Sequence, residues 1–229
     1  MSSRRCLIVR GGWEGHDPVR TTDSILTYLE ASGFDVNVES STEAYLGDLD
    51  SVDLIVQCVT MSTIADAEVA ALRAAVERGT GLVGWHGGIA DSFRNSADYN
   101  QLIGGLFAAH PGKPEEHRVG DETDNFIRHT IELTDLGREH PITAGLDDFD
   151  LETEQYWVLS DDLNDVLATT TLAARPGDPW SRPVTCPAVW TRSWGKGRIV
   201  VATPGHRLED VEDPNVRQII ERGIAWASR

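Results

Sequence analysis

His86 is the residue in this chain best placed to do chemistry. It follows the apolar run Gly81-Leu-Val-Gly-Trp85 and precedes Gly87 and Gly88, the pattern of a tight strand-to-helix turn that presents one side chain at a sheet edge. Glycines at such a turn let backbone N–H groups approach a ligand, which makes Gly87 and Gly88 candidate substrate contacts. Other enzymes expose a serine or cysteine nucleophile on this turn; here it carries an imidazole, a metal ligand, general base or hydrogen-bond donor. His206, in Thr203-Pro-Gly-His206, also comes directly after an apolar strand. Two histidines and one carboxylate would suit a catalytic zinc or manganese ion with an open coordination position. The carboxylate candidates stand in Leu151-Glu-Thr-Glu-Gln-Tyr156, where strand alternation puts Glu152 and Glu154 on one face and does not choose between them.

Other residues would serve the substrate. His16, in Gly15-His16-Asp17-Pro18, falls in the first strand-to-helix loop, as a substrate contact or as part of a helix cap through Asp17. His110 follows a glycine-rich bend and is expected to line the pocket, whereas His140, also before a proline, reads as backbone shape. Trp13, Trp85 and Trp157 are placed near the same edge, where indole faces stack on sugar rings while acids bond the hydroxyls. Cys58, at the end of a strand with no histidine near it in sequence, reads as a core thiol. There is no Gly-x-Gly-x-x-Gly after the first strand, no phosphate-binding Gly-Lys-Ser/Thr loop and no Gly-x-Ser-x-Gly elbow, so no nucleotide cofactor is expected.

The elements that must position these groups are legible as alternating strands and helices. Strands are predicted at Cys6–Val9, Phe34–Glu39, Val52–Val59 and Gly81–Trp85. Between them, one helix is capped by Thr21 or Thr22 and runs to Leu29, and another is capped by Ser62 or Thr63 and stops at Gly79. This alternation argues βαβ units, a parallel sheet and loops that converge at its carboxyl edge. The second half is less regular. A short helix is expected over Tyr99–Phe107, with strands at Phe126–Leu133, Leu151–Val158 and Val166–Thr171. A hairpin of Ala188–Ser193 and Arg198–Thr203 turns through Gly195-Lys-Gly197, and a last helix begins at Pro214. The expected architecture is one α/β domain over residues 1–229, a mainly parallel sheet with an antiparallel addition.

Charge and composition narrow the partners. The 229 residues hold 20 Lys and Arg against 37 Asp and Glu, a net charge of −17. Both nucleic acid and anionic membrane reward positive patches, so neither is an expected partner. From Glu139 to Ala174 there are nine carboxylates and no Lys or Arg, a stretch better suited to a neutral or metal-bound small molecule than to a polyphosphate. No apolar stretch reaches the roughly 18 residues of a membrane span, and the N-terminus lacks a secretory core. The three cysteines, Cys6, Cys58 and Cys186, are too far apart for a disulfide framework. A cytoplasmic protein is expected, with a homodimer possible through an edge strand or the last helix.

Several motifs then carry a resemblance. Gly84-Trp-His-Gly-Gly88 with Asp91-Ser-Phe-Arg94, Ile103-Gly-Gly-Leu-Phe107 with His110-Pro111, and His140-Pro-Ile-Thr143 with Gly145-Leu146 and Asp148-Phe149 occur in order. Thr153-Glu-Gln-Tyr156, Trp194-Gly-Lys-Gly197 and Pro204-Gly-His206 follow. This ordered set resembles the ThuA-like (trehalose-utilisation) family over nearly the whole chain. The resemblance implies a flavodoxin-like three-layer fold of the class I glutamine amidotransferase-like superfamily. There the elbow carries a nucleophilic cysteine; His86 stands in its place, so glutamine hydrolysis is not expected. It also implies a role in catabolism of trehalose or related disaccharides, including 3-keto-glycosides. His86, Glu154 and His206 would then be the metal or catalytic positions, with His16 and His110 close by and Arg94 and Tyr156 as substrate contacts. The expected reaction is metal-assisted hydrolysis, elimination or isomerisation. The alternative is a non-catalytic sugar- or protein-binding module on the same fold.

Overall fold

The computed structural model describes residues 4–229. In the first half, β1 (Arg4–Gly12), β2 (Phe34–Glu39), β3 (Leu54–Thr60) and β4 (Gly81–Trp85) alternate with α1 (Pro18–Asp23), α2 (Leu26–Ala31) and α3 (Asp66–Arg78). β3 and β4 are buried at every position, as strands covered on both faces must be. The second half adds α4 (Ala97–Ile103), β5 (Gly105–Ala109), β6 (Phe126–Leu133), α5 (Asp135–Glu139), β7 (Phe149–Glu154) and β8 (Trp157–Ser160). It continues with β9 (Asp165–Leu172), the hairpin β10 (Val184–Trp194) and β11 (Gly197–Ala202), α6 (Leu208–Val211) and α7 (Pro214–Ala227).

Nine strands form one sheet in the order β2-β1-β3-β4-β11-β10-β9-β6-β7, while β5 and β8 pair separately. The pairs from β2 through β11 are parallel, and those from β11 to β7 are antiparallel. The parallel part has the flavodoxin-like order, with the antiparallel addition on one side. Alternate side chains of the strands enter two cores. On one face Ile8, Val56, Val83 and Val200 pack with Ile25, Leu29, Ile219 and Ile224 from α1–α2 and α7. On the other, Val9, Ile55, Leu82 and Val201 pack with Val69, Leu72 and Val76 of α3. Among the described residues no helix is long and apolar enough to cross a membrane.

The β6–β7 ribbon decides the site. β6 pairs with β9 only at Glu132 and Leu133, near its end, while its start stays with β7 alone, Phe126 opposite Glu154. The free end of the ribbon therefore departs from the sheet and folds over the carboxyl edge of the parallel strands.

Several boundaries differ from expectation; the first helix, expected as one through Leu29, is two, α1 and α2, parted at Ser24 and Ile25, and four further differences have a local reason. The first helix begins at Pro18, not at Thr21 or Thr22; these lie inside α1, their hydroxyls donating back to the carbonyls of Asp17 and Pro18 at 2.9 and 2.6 Å. The next helix begins after Ala65, whose N–H donates to Glu68. Ser62 is occupied otherwise, its N–H bonding the carbonyl of Ser92 at 2.8 Å. Tyr99–Phe107 is not one helix: Gly104, at φ +74°, ends α4, and the chain continues as β5. Leu151–Val158 is two strands, broken at Gln155 and Tyr156, where the chain changes partner from β6 to β5.

Candidate metal centre

Loops after β1, β3 and β4 each contain one non-glycine residue with a left-handed backbone: Asp17 (φ 48°), Met61 (φ 46°) and His86 (φ 48°). Such a conformation costs on the order of 1–3 kcal/mol and persists where the surroundings over-determine it. At His86 they do. Its backbone turn is packed so closely that a Cβ on Gly88 would lie 2.8 Å from Cα of Cys58, and one on Gly87 would lie 2.1 Å from Nδ1 of His16. Beneath it, buried Gln57 donates to the carbonyl of Gly88 at 3.2 Å and to Ser92 at 3.1 Å, and accepts from Tyr45 at 2.9 Å. The His86 ring itself is held by its Nδ1–H, which donates to the Thr203 carbonyl at 2.8 Å. Its Nε2 is thereby turned into the site.

Three other side chains meet that nitrogen. Oε2 of Glu154, from the end of the β6–β7 ribbon, lies 3.1 Å from His86 Nε2, and Nδ1 of His206 lies 3.2 Å from each of them. Nε2 of His16 is 3.9 Å from the same carboxylate oxygen. One ligand atom from each of these four residues can be chosen so that all lie within 4.8 Å of one another, and all four residues are buried. The Tyr156 hydroxyl sits 2.9 Å from His86 Nε2. His110 closes the outer side, its Nε2 3.6 Å from Oε1 of Glu154, and is the most open of the set at 26% exposure.

Electrostatics make this a cluster of electron pairs. Burial works to raise the Glu154 carboxyl, but the neighbouring His206 and His86 imidazoles outweigh it and hold the group below the usual carboxylate range. His16 is pushed down to about 2, first by burial and then by the neighbouring His86 and His206; burial likewise lowers His110. Burial, followed by the Glu154 charge, raises the Tyr156 phenol well above its ordinary value. Since the Thr203 carbonyl can only accept, a neutral His86 keeps its proton on Nδ1 and turns a bare lone pair to Glu154. Nδ1 of His16 is buried without a hydrogen-bond partner among the described residues. Ligand atoms of a tetrahedral zinc, at 2.0–2.1 Å from the ion, are about 3.3 Å apart, close to the 3.1–3.2 Å separations among His86, Glu154 and His206, with His16 farther, at 3.9 Å from the carboxylate. The residues present fit a divalent metal.

The structure thus brings together His86, Glu154, His206 and His16, far inside the roughly 10 Å beyond which shared ligation fails. It separates Glu154 from Glu152, which is exposed one strand period away. Trp13 remains at the rim, 47% exposed, its ring edge-on to His16 at 4.7 Å. Trp85 does not reach the rim; its ring is buried in the core with Val83 and Val200. Trp157 packs against Trp180 instead. Arg94 is paired with buried Asp91 and lies over Phe107, whose ring meets Tyr156 at 4.4 Å. His140 packs on Trp226.

Sequence reasoning missed Thr203, Phe126 and Asp210. The Phe126 ring packs edge-on against His206 at 5.1 Å, and buried Asp210 accepts from Thr153 at 2.7 Å, anchoring the strand end that carries Glu154. Thr203 had a usable signal, because it stands directly after the strand that leads to His206. The other two depend on where the ribbon folds.

The family model ThuA, described as trehalose utilisation, matches residues 5–227. Among solved structures, a ThuA-like protein from Bacteroides uniformis is similar with a TM-score of 0.70 and 20% identity, over 97% of this chain and 90% of that one. A ThuA-like protein from Parabacteroides merdae gives 0.71 and 16% identity, over 99% and 90%. A protein of Salmonella typhimurium described as cytoplasmic gives 0.63 and 14%, over 98% and 100%. At these identities the likeness is one of fold. No curated protein matches the chain significantly.

Proposed function

The chain belongs to the ThuA family, and on that premise we propose that it is a metal-dependent enzyme of sugar metabolism. His86, His206, Glu154 and His16 would hold the ion. The observation that carries this reading is the convergence of His86 Nε2, His206 Nδ1 and Glu154 Oε2 at 3.1–3.2 Å, too many electron pairs around one point to be stable without a cation or extra protons. Three imidazoles and one carboxylate favour zinc over manganese, which prefers oxygen donors. A bound divalent ion would supply Lewis acidity toward a substrate oxygen.

The substrate class we propose is trehalose or a related disaccharide, particularly its 3-keto derivative. His110, the outermost imidazole, is placed to take a proton from the carbon beside the ketone. The electron pair left behind forms a carbon–carbon double bond as the glycosidic C–O bond breaks, and the departing sugar oxygen takes up a proton. Hydrolysis or isomerisation would use the same groups. Trp13 offers an exposed indole for the sugar face. A binding module lacking chemistry finds less support, because its histidines would have no reason to converge on one carboxylate oxygen.

Chromatography of 3-keto-trehalose incubated with the zinc-loaded protein tests this reading. Release of free sugar that is abolished by a chelator and restored by zinc supports it. Undiminished release in the chelated protein would remove the metal from the account.

A further inference from the structure

Tyr156 stands between β7 and β8, at the point where the chain changes sheet partner. Its ring is packed between those of His86, at 4.2 Å, and Phe107, at 4.4 Å, and it is 2% exposed. Among the described residues its hydroxyl has one hydrogen-bond partner, His86 Nε2, at 2.9 Å. That nitrogen has one lone pair. Because His86 Nδ1–H is committed to the Thr203 carbonyl, Nε2 is the only ring nitrogen that can serve as a ligand, and while it does so it cannot accept from Tyr156. A buried hydroxyl deprived of its acceptor is unfavourable by on the order of 1–3 kcal/mol.

We propose that Tyr156 is a catalytic hydrogen-bond donor whose acceptor changes with the state of the site: His86 Nε2 while the lone pair of that nitrogen is free, and an oxygen of the substrate once that nitrogen is engaged. This deepens the reading above and rests on it. The substrate must then place a carbonyl or alkoxide oxygen beside His86, in reach of a neutral phenol. A hydroxyl that hydrogen-bonds this oxygen more strongly as negative charge grows on it would favour the transition state over the ground state. No proton need leave the tyrosine. The tight ring packing around it keeps the donor aimed while its partner changes.

The test uses Tyr156→Phe, which retains the ring and its contacts with His86 and Phe107. Cobalt(II) uptake is measured by calorimetry in wild type and variant, and the cobalt-loaded proteins are then titrated with acetate, a small oxygen acceptor, by visible absorption. The expected result is cobalt affinity equal to wild type or tighter, since an interaction competing for Nε2 has gone, together with roughly tenfold weaker acetate binding. Loss of cobalt binding in the variant would overturn the assignment by making Tyr156 a support or ligand of the site. Normal cobalt uptake with unchanged acetate affinity would overturn it alone. A wild-type protein that takes up no cobalt would overturn the metal reading and this assignment with it.

Discussion

The Nδ1–H of His86 donates to the carbonyl of Thr203 at 2.8 Å, a bond between residues that directly follow two neighbouring strands. Trp85 of β4 is in register with Ala202 of β11, so the next residue on each strand falls opposite its counterpart. Parallel pairing thereby selects the tautomer of the imidazole and the direction of its other nitrogen. Fixing the non-ligating nitrogen of a histidine is how second partners orient metal ligands in general. In this molecule the partner is backbone, and no side-chain substitution removes it.

Gly87→Ala should damage the site without damaging the fold. The new Cβ would stand 2.1 Å from Nδ1 and 2.3 Å from Cε1 of His16, forcing that ring to swing away. Zinc affinity, measured by competition with a chromophoric chelator, should fall about tenfold or more, the scale seen when a ligand's placement is disturbed. Wild-type zinc affinity in this variant would exclude His16 from the ligand set.

Thr153→Val tests the anchor beneath Glu154. The threonine hydroxyl donates to buried Asp210 at 2.7 Å, and valine leaves that carboxylate oxygen, among the described residues, with only the weaker bond from the Arg207 N–H, at 3.3 Å. Urea denaturation of the metal-free protein should show a loss of about 1–3 kcal/mol. Zinc affinity should fall about tenfold as the strand end loosens. Unchanged values in both would show that β7 is held elsewhere.

Cys58 and Cys6 should be inert in the native protein. Burial pushes each thiol up to about 12 from an ordinary value near 9, so at pH 8 both are protonated and enclosed. Iodoacetamide should label them only after denaturation; rapid native labelling with loss of activity would show a reactive thiol at the site. The sign of the pH effect follows. Between about pH 9 and 12 the unfolded chain releases these protons while the folded chain keeps them, so stability is intact below pH 9 and declines as pH rises through this window. Chemical denaturation at pH 7, 9 and 10.5 should show a shallower decline in Cys58→Ala than in wild type.

The parallel half of the fold is readable because its strands are short and largely apolar, and the loops after β1, β4 and β11 carry their chemistry on the next few residues: His16, His86, His206. Such local order places a residue at an edge without knowledge of the rest. Glu154 was of another kind. It shares a strand face with Glu152, and what separates them is that one sits at the free tip of the β6–β7 ribbon, opposite Phe126, while the other pairs with Arg128 along its length. That difference arises from where the ribbon leaves β9, which no pattern inside Leu151–Tyr156 encodes. Trp85 shows the reverse case. Adjacency to His86 suggested a site residue, but consecutive strand residues point to opposite faces, and the indole faces the core.

Elemental analysis of protein purified without a histidine tag, in wild type, His86→Ala and His206→Ala, tests the central claim most directly. The account predicts about one zinc per wild-type chain and less than about a tenth of that in either variant, since each removes one ligand of the set. No metal in wild type after addition of zinc or manganese, or equal metal in all three proteins, would contradict it.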